Sequence, residues 1–158
     1  MEIVKKSAAL ALLAAVVALA ACKASPPPAP QNTVAELNVA VAADVNPDGD
    51  ERASPLVITV FALKDSRQFE REDFLSLYEG ASQRLGADLA RTIKLKEFVP
   101  GETRLETIAL DPEVRYIGLM AEYVQYDKAK PLLVLPVVER TTNRYEVKAE
   151  RLQLSTSR

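Results

Sequence analysis

The sequence predicts a mainly β domain, a sandwich or barrel carrying one small helical insertion. Three observations point that way. Short apolar segments recur at regular spacing from residue 34 onward, separated by Pro, Gly, Asn and Asp. Several of them alternate apolar and polar residues with the period of two that a half-buried strand requires. One stretch, 65–90, departs from that period and carries Phe74, Leu77 and Tyr78 at helical spacing.

The chain opens differently. Lys5 and Lys6 form a basic start, and an uncharged apolar run follows from Ala8 to Ala21. A membrane-crossing helix needs about 20 apolar residues, so this shorter run, ending in small residues, reads as a secretory signal peptide over 1–21. It closes on Leu19-Ala20-Ala21-Cys22, which resembles the bacterial lipobox. That resemblance implies cleavage before Cys22, a thioether-linked diacylglycerol on its sulfur and an acyl group on its new amine. Cys22 is the only cysteine and falls where the motif demands one, which favours lipidation over an incidental small residue. Two acyl chains suffice for stable anchoring, so a triacylated Cys22 holds the protein at a membrane. In lipoproteins of this kind an Asp after the cysteine usually signals retention at the inner membrane, so the resemblance, with Lys23 at that position, implies sorting to the outer membrane.

Without the first 21 residues, 137 remain, with 18 basic and 21 acidic side chains and a net charge of −3. That length suits one domain. The slight acidic excess argues against nucleic-acid binding. With no His and no Cys beyond the anchor, zinc sites and Ser-His or Cys-His catalysis lose their usual groups, and no enzyme chemistry is indicated. No cofactor is expected beyond the covalent lipid, and with no second Cys the core alone must hold the domain.

Residues 22–33 form the lipidated Cys and a tether, with Pro26, Pro27, Pro28 and Pro30. Such a segment buries nothing, and at about 3.1 Å per residue it spans roughly 30 Å. The domain is expected over 34–158. Val34–Val45 is its first strand, with Leu37, Val39 and Val41 on one face and Glu36, Asn38, Ala40 and Ala42 on the other.

Asp44 to Pro55 follows as the most polar segment, with Gly49 and two prolines. Asp44, Asn46, Asp48 and Gly49 fit positions 1, 3, 5 and 6 of an EF-hand loop. Position 12 is Pro55 instead of Glu, and Pro47 lies inside, so a solvated connection is favoured over calcium. A connection this long and acidic, held on a rigid scaffold, suits protein recognition.

Leu56–Lys64 is apolar on both faces, so something must cover its second face. The helical insertion is the candidate: a cap at Asp65 or Ser66, an anchor at Phe69, Phe74, Leu77 and Tyr78 packing inward, a stop at Gly80, and a second piece from Ser82 with Leu85 and Leu89 on one face. Ile93 and Leu95 then alternate with Lys94 and Lys96, and Pro100-Gly101 turns the chain. Leu105–Leu110 is a strand, Asp111-Pro112 a turn, and Arg115–Val124 a central strand. Asp127–Lys130 is a loop. Leu132–Val138 belongs at an edge or bulge because of Pro136. Thr141–Asn143 is the last turn, and Tyr145, Val147 and Ala149 alternate. Leu152 and Leu154 fall out of phase, which predicts a bulge or break near Glu150 and Arg151.

Taken in order, these residues resemble a known family. Behind Cys22 come Asn46-Pro47-Asp48, then Ser54-Pro55-Leu56-Val57-Ile58-Thr59-Val60-Phe61-Ala62-Leu63-Lys64-Asp65, then Phe69, Asp73-Phe74 and Leu77-Tyr78, then Pro100-Gly101-Glu102 and Tyr116-Ile117-Gly118-Leu119. The ordered set is similar to the TssJ (SciN) lipoproteins of the bacterial type VI secretion system. It departs from that pattern at Phe61-Ala62-Leu63 and at Lys128-Ala129-Lys130-Pro131, where the family often has a Trp-Arg pair. The resemblance implies a two-sheet, transthyretin-like sandwich with an added helical element. It implies an outer-membrane lipoprotein, on the periplasmic face, that binds the periplasmic C-terminal domain of TssM and through it meets TssL. It also implies contact through the loop between the first two strands: Asn46, Asp48, Gly49, Asp50, Glu51 and Arg52. The alternative from the residues alone is a periplasmic small-ligand carrier with a pocket between its sheets, which needs convergent polar groups in an apolar hollow.

Overall fold

The computed structural model describes residues 32–157. The signal peptide, Cys22 and nearly all of the tether lie outside the described residues. Eight strands form: β1 (Thr33–Val41), β2 (Ile58–Leu63), β3 (Leu89–Lys94), β4 (Thr103–Leu110), β5 (Tyr116–Ala121), β6 (Leu132–Pro136), β7 (Thr142–Glu150) and β8 (Gln153–Ser157). Helix α1 (Phe74–Leu85) lies between β2 and β3, flanked by 3-10 turns at Phe69–Arg71 and Gly86–Asp88. The strands make two four-stranded sheets, in the orders β4-β1-β7-β8 and β3-β2-β5-β6. The fold is the expected two-sheet sandwich with a helical insertion.

The alternation in β1 becomes a buried face of Thr33, Ala35, Leu37, Val39 and Val41. This strand pairs antiparallel with β4 and parallel with β7. Between the sheets Leu37, Val39, Ile58, Val60, Ile117, Leu119 and Val147 form the inner core. Strand β2 is buried at all six positions because it serves two cores. Ile58, Val60 and Ala62 face the other sheet. Phe61 and Leu63 face outward and are covered by Phe69, Leu77, Leu85 and Met120. The helical insertion therefore covers the second face, as the apolar pattern required. Phe61 and Phe69 meet at 5.7 Å between ring centroids.

Several boundaries differ from the expectation, each for a local reason. The first strand ends at Val41, and Val45 instead turns back to bond the Ala42 carbonyl at 3.2 Å. The helix cap is Asp73, whose carboxylate accepts the Ser76 amide at 2.8 Å. Asp65 is engaged by Arg67 instead. Gly80 kinks the helix without ending it, and Gly86, at φ 51°, terminates it. Leu89 opens β3 and is not helical. The turn expected at Thr141–Asn143 lies at Glu139-Arg140, ahead of β7, with Arg140 at φ 56°. Near Glu150 the phase change is a tight hairpin: Glu150 pairs with Gln153, and Arg151-Leu152 form the turn. Pro136 does sit on an edge strand, and β5 is central.

The sheet registers assign every connection to one end of the sandwich. β1 begins beside Leu110 and Thr142 and ends beside Thr103 and Ala149. The β1–β2, β3–β4 and β5–β6 loops and the β7–β8 turn share the end where β1 finishes. β1 begins at the opposite end.

Candidate functional site

The loop between β1 and β2 is pinned at both ends. Val45 and Leu56 are fully buried in the inner core. Leu56 exchanges two backbone hydrogen bonds of 2.9 Å with Phe98. Asn46 is 2% exposed and adopts φ 50°, a conformation Asn tolerates better than most residues. Its side-chain amide donates to the Pro55 carbonyl at 2.7 Å, and its oxygen accepts the Val124 amide at 2.7 Å. Its backbone amide donates to Arg151 at 2.9 Å. Gln125 adds bonds to the carbonyls of Pro47 and Asp48 at 3.1 and 3.3 Å. One side chain thus closes the loop's base and fixes it to the β5–β6 loop.

Above that base, Asp48 organises the tip. Its carboxylate accepts the amides of Asp50 and Arg52 at 2.9 and 3.0 Å and meets the Arg52 guanidinium at 3.0 Å. The Arg52 amide, followed by the other bonds to this carboxylate, holds the Asp48 carboxyl below its ordinary range. Glu51 sits at φ 64° and pairs with Arg151 from the β7–β8 turn. Arg52 also meets Asp50 at 3.0 Å.

The six residues singled out from the sequence therefore divide. Asn46 is buried and its side-chain hydrogen bonds are made within the domain, so its side chain shapes the loop's base. Asp48 is largely occupied by the tip. Gly49, Asp50, Glu51 and Arg52 are exposed. Among the described residues no cluster of three or more carboxylates could hold a metal. Asp44 points towards Arg151, 3.9 Å away, so the EF-hand spacing does not converge.

The sequence reading missed a second feature beside this loop. Phe74 and Tyr78 were expected to pack inward with Leu77. Leu77 does, at 2% exposed, but Tyr78 is 57% exposed. Phe74 stacks against Tyr78 at 5.5 Å and against Tyr126 at 5.3 Å. Tyr126 comes from a loop with no periodicity, so nothing local to the sequence pointed to it. Among the described residues, the space between the sheets, where a small-ligand carrier would hold its ligand, is occupied by the side chains of the inner core. Grooves open on the outer side of the second sheet, one of about 760 Å³ between α1 and Thr59, Thr92 and Lys94.

The family profile described as T6SS-SciN, type VI secretion lipoprotein (VasD, EvfM, TssJ), matches residues 33–152. The chain belongs to this family. Its fold agrees. The crystal structure of the type VI secretion lipoprotein TssJ1 from Pseudomonas aeruginosa superimposes with a TM-score of 0.74 at 27% identity, over 80% of this chain and 95% of that one. Serratia marcescens Lip, a membrane-bound component of the type VI secretion system, gives 0.73 at 23% identity, over 80% and 97%. A chain in a structure described as the TssM C-terminal domain from EAEC gives 0.67 at 18% identity, over 80% and 98%, a likeness of fold. No curated protein sequence matches significantly. This TssJ-family chain thus carries the family's sandwich with a loop whose base is locked by Asn46.

Proposed function

We propose that this chain is the lipid-anchored outer-membrane component of a type VI trans-envelope complex and docks the periplasmic C-terminal domain of TssM. Residues 1–21 are removed, Cys22 carries the lipid, and 22–33 tether the domain on the periplasmic face. TssL is reached only through TssM. The role is structural, without catalysis and without a cofactor beyond the lipid. The observation that carries this reading is an exposed acidic tip, Gly49 to Arg52, fastened at the end of the sandwich opposite the start of β1. Rigid presentation lowers the ordering cost of association. Asp48, Asp50 and Glu51 outnumber Arg52 and Arg151, which pair with them, and this net negative charge favours a basic partner surface and an association rate that falls with salt.

The test is titration calorimetry with the full chain in detergent against the TssM C-terminal domain from the same genome. Binding is expected to vanish when Asp48–Arg52 are deleted. Because Val45, Asn46 and Leu56 keep the base closed, the melting temperature of that deletion should stay near that of the parent. Undiminished binding would move the site off the loop.

A further inference from the structure

We infer that the docking surface continues from the acidic tip onto an aromatic ridge of Phe74, Tyr78 and Tyr126. It takes a polypeptide segment that presents an aromatic or long aliphatic side chain beside lysine or arginine. This rests on the reading just given and adds the chemistry of the partner's contacting segment.

The ridge is a near-parallel stack. The ring of Phe74 lies between Tyr78 and Tyr126, at interplanar angles of 23° and 21°. Two elements build it, the first turns of α1 and the β5–β6 loop. The fold does not require its outer members. The core beneath α1 closes with Phe61, Leu63, Phe69, Leu77, Leu85 and Met120, while Tyr78 and Tyr126 remain 57% and 42% exposed. Leu75 and Val124 stand beside them at 41% and 58%. Among the described residues seven large apolar side chains are exposed, and these four gather around Phe74. Isolated exposed apolar residues are ordinary, whereas a contiguous group marks an interaction surface.

Grooves flank the ridge on both sides. One, of about 310 Å³, lies between Tyr78, Val124 and Tyr126, with Glu122 on its rim. The other, of about 410 Å³, lies between Phe74, Tyr126 and Pro131, with Asp73, Asp127 and Lys130 on its rim. Each is suited to a side chain inserted beside a ring. Stacking holds the tyrosines in place before contact, so they lose little freedom on binding. Aromatic faces attract guanidinium and ammonium groups, and carboxylates outnumber cations on the two rims and the tip, so the complementary charge is positive.

The ridge and the tip belong to one frame. Val124 donates its amide to Asn46, Gln125 bonds the carbonyls of Pro47 and Asp48, and Tyr126 follows directly. A partner seated on Asp50 and Glu51 therefore lies beside Val124 and Tyr126.

The experiment measures binding of the full chain in detergent to the TssM C-terminal domain by interferometry. It compares the parent with Tyr126→Ala, Tyr78→Ala, Tyr126→Phe and the Asp48–Arg52 deletion. Melting temperatures serve as the check on folding. Each alanine variant is expected to weaken binding at least about tenfold, as central aromatic anchors do. Tyr126→Phe, which keeps the stack, should bind like the parent. Alanine variants that bind like the parent, while the deletion does not bind, would overturn the ridge and leave the loop reading intact. Failure of the unaltered chain to bind would overturn both.

Discussion

Asn46 illustrates how a polar residue in a loop becomes structural. Its side-chain amide bonds the Pro55 carbonyl and the Val124 amide in part-buried contacts and so ties the loop's base to the β5–β6 loop. Asn46→Ala should cost about 1–3 kcal/mol, the penalty of leaving such groups unpaired. Denaturant titration measures that loss, and the same variant should bind TssM less well because the tip is no longer aimed. Phe61 and Gly118 make a second pair of linked positions. A Cβ at Gly118 would stand 2.7 Å from the Phe69 ring, so the residue must be Gly for Phe69 to seat on β5 and cover Phe61. Phe61→Ala is expected to cost about 3–5 kcal/mol by emptying the outer core. Gly118→Ala is expected to cost about 1–3 kcal/mol by overpacking it. Chemical denaturation of the two variants would reveal a surface position by a loss near zero.

At the scale of elements, α1 depends on its N-terminal cap, Asp73. The Ser76 amide, bonded by the Asp73 carboxylate, holds that carboxyl below its ordinary value of 3.8. The folded state therefore releases the proton more readily than the unfolded chain. The cap's electrostatic contribution is complete above pH 3.8 and is lost as pH falls through the folded value. Asp48 titrates with the same sign, for the Arg52 amide it accepts. Asp73→Asn keeps a capping oxygen but does not ionise. Its melting temperature should accordingly fall less steeply than the parent's below pH 3.8, with a parallel decline contradicting this account. The kink at Gly80 belongs here too. It lies between Leu77 and Leu85, which both pack on the outer core, while Tyr78 faces solvent.

At the scale of the whole molecule, β1 separates two ends with different tasks. Its nine residues span roughly 26 Å at about 3.3 Å per residue. The chain enters β1 at Thr33 at one end, and the acidic tip and Tyr126 share the other. A domain hung from Cys22 would then present its recognition end away from the lipid surface. Cys22→Ser should leave the sandwich folded, abolish palmitate labelling and remove the protein from the membrane fraction. Labelling of that variant would contradict lipidation at this residue.

Local periodicity determined much of this protein. Alternation in β1, apolar character on both faces of β2, the edge placement of Pro136 and the cover over Phe61 all follow from which residues leave water. That requirement is written at each position and needs no distant partner to be read. The long polar connection after β1 was equally legible, because Pro, Gly and Asp break strands wherever they cluster. Tertiary structure alone decided what is non-local: the parallel pairing of β1 with β7, Asn46 turned inward while Gly49 to Arg52 stay outside, and Tyr126 brought to Phe74 from a different element. Those arrangements arise from contacts between residues far apart in the chain, whose energies no local period encodes.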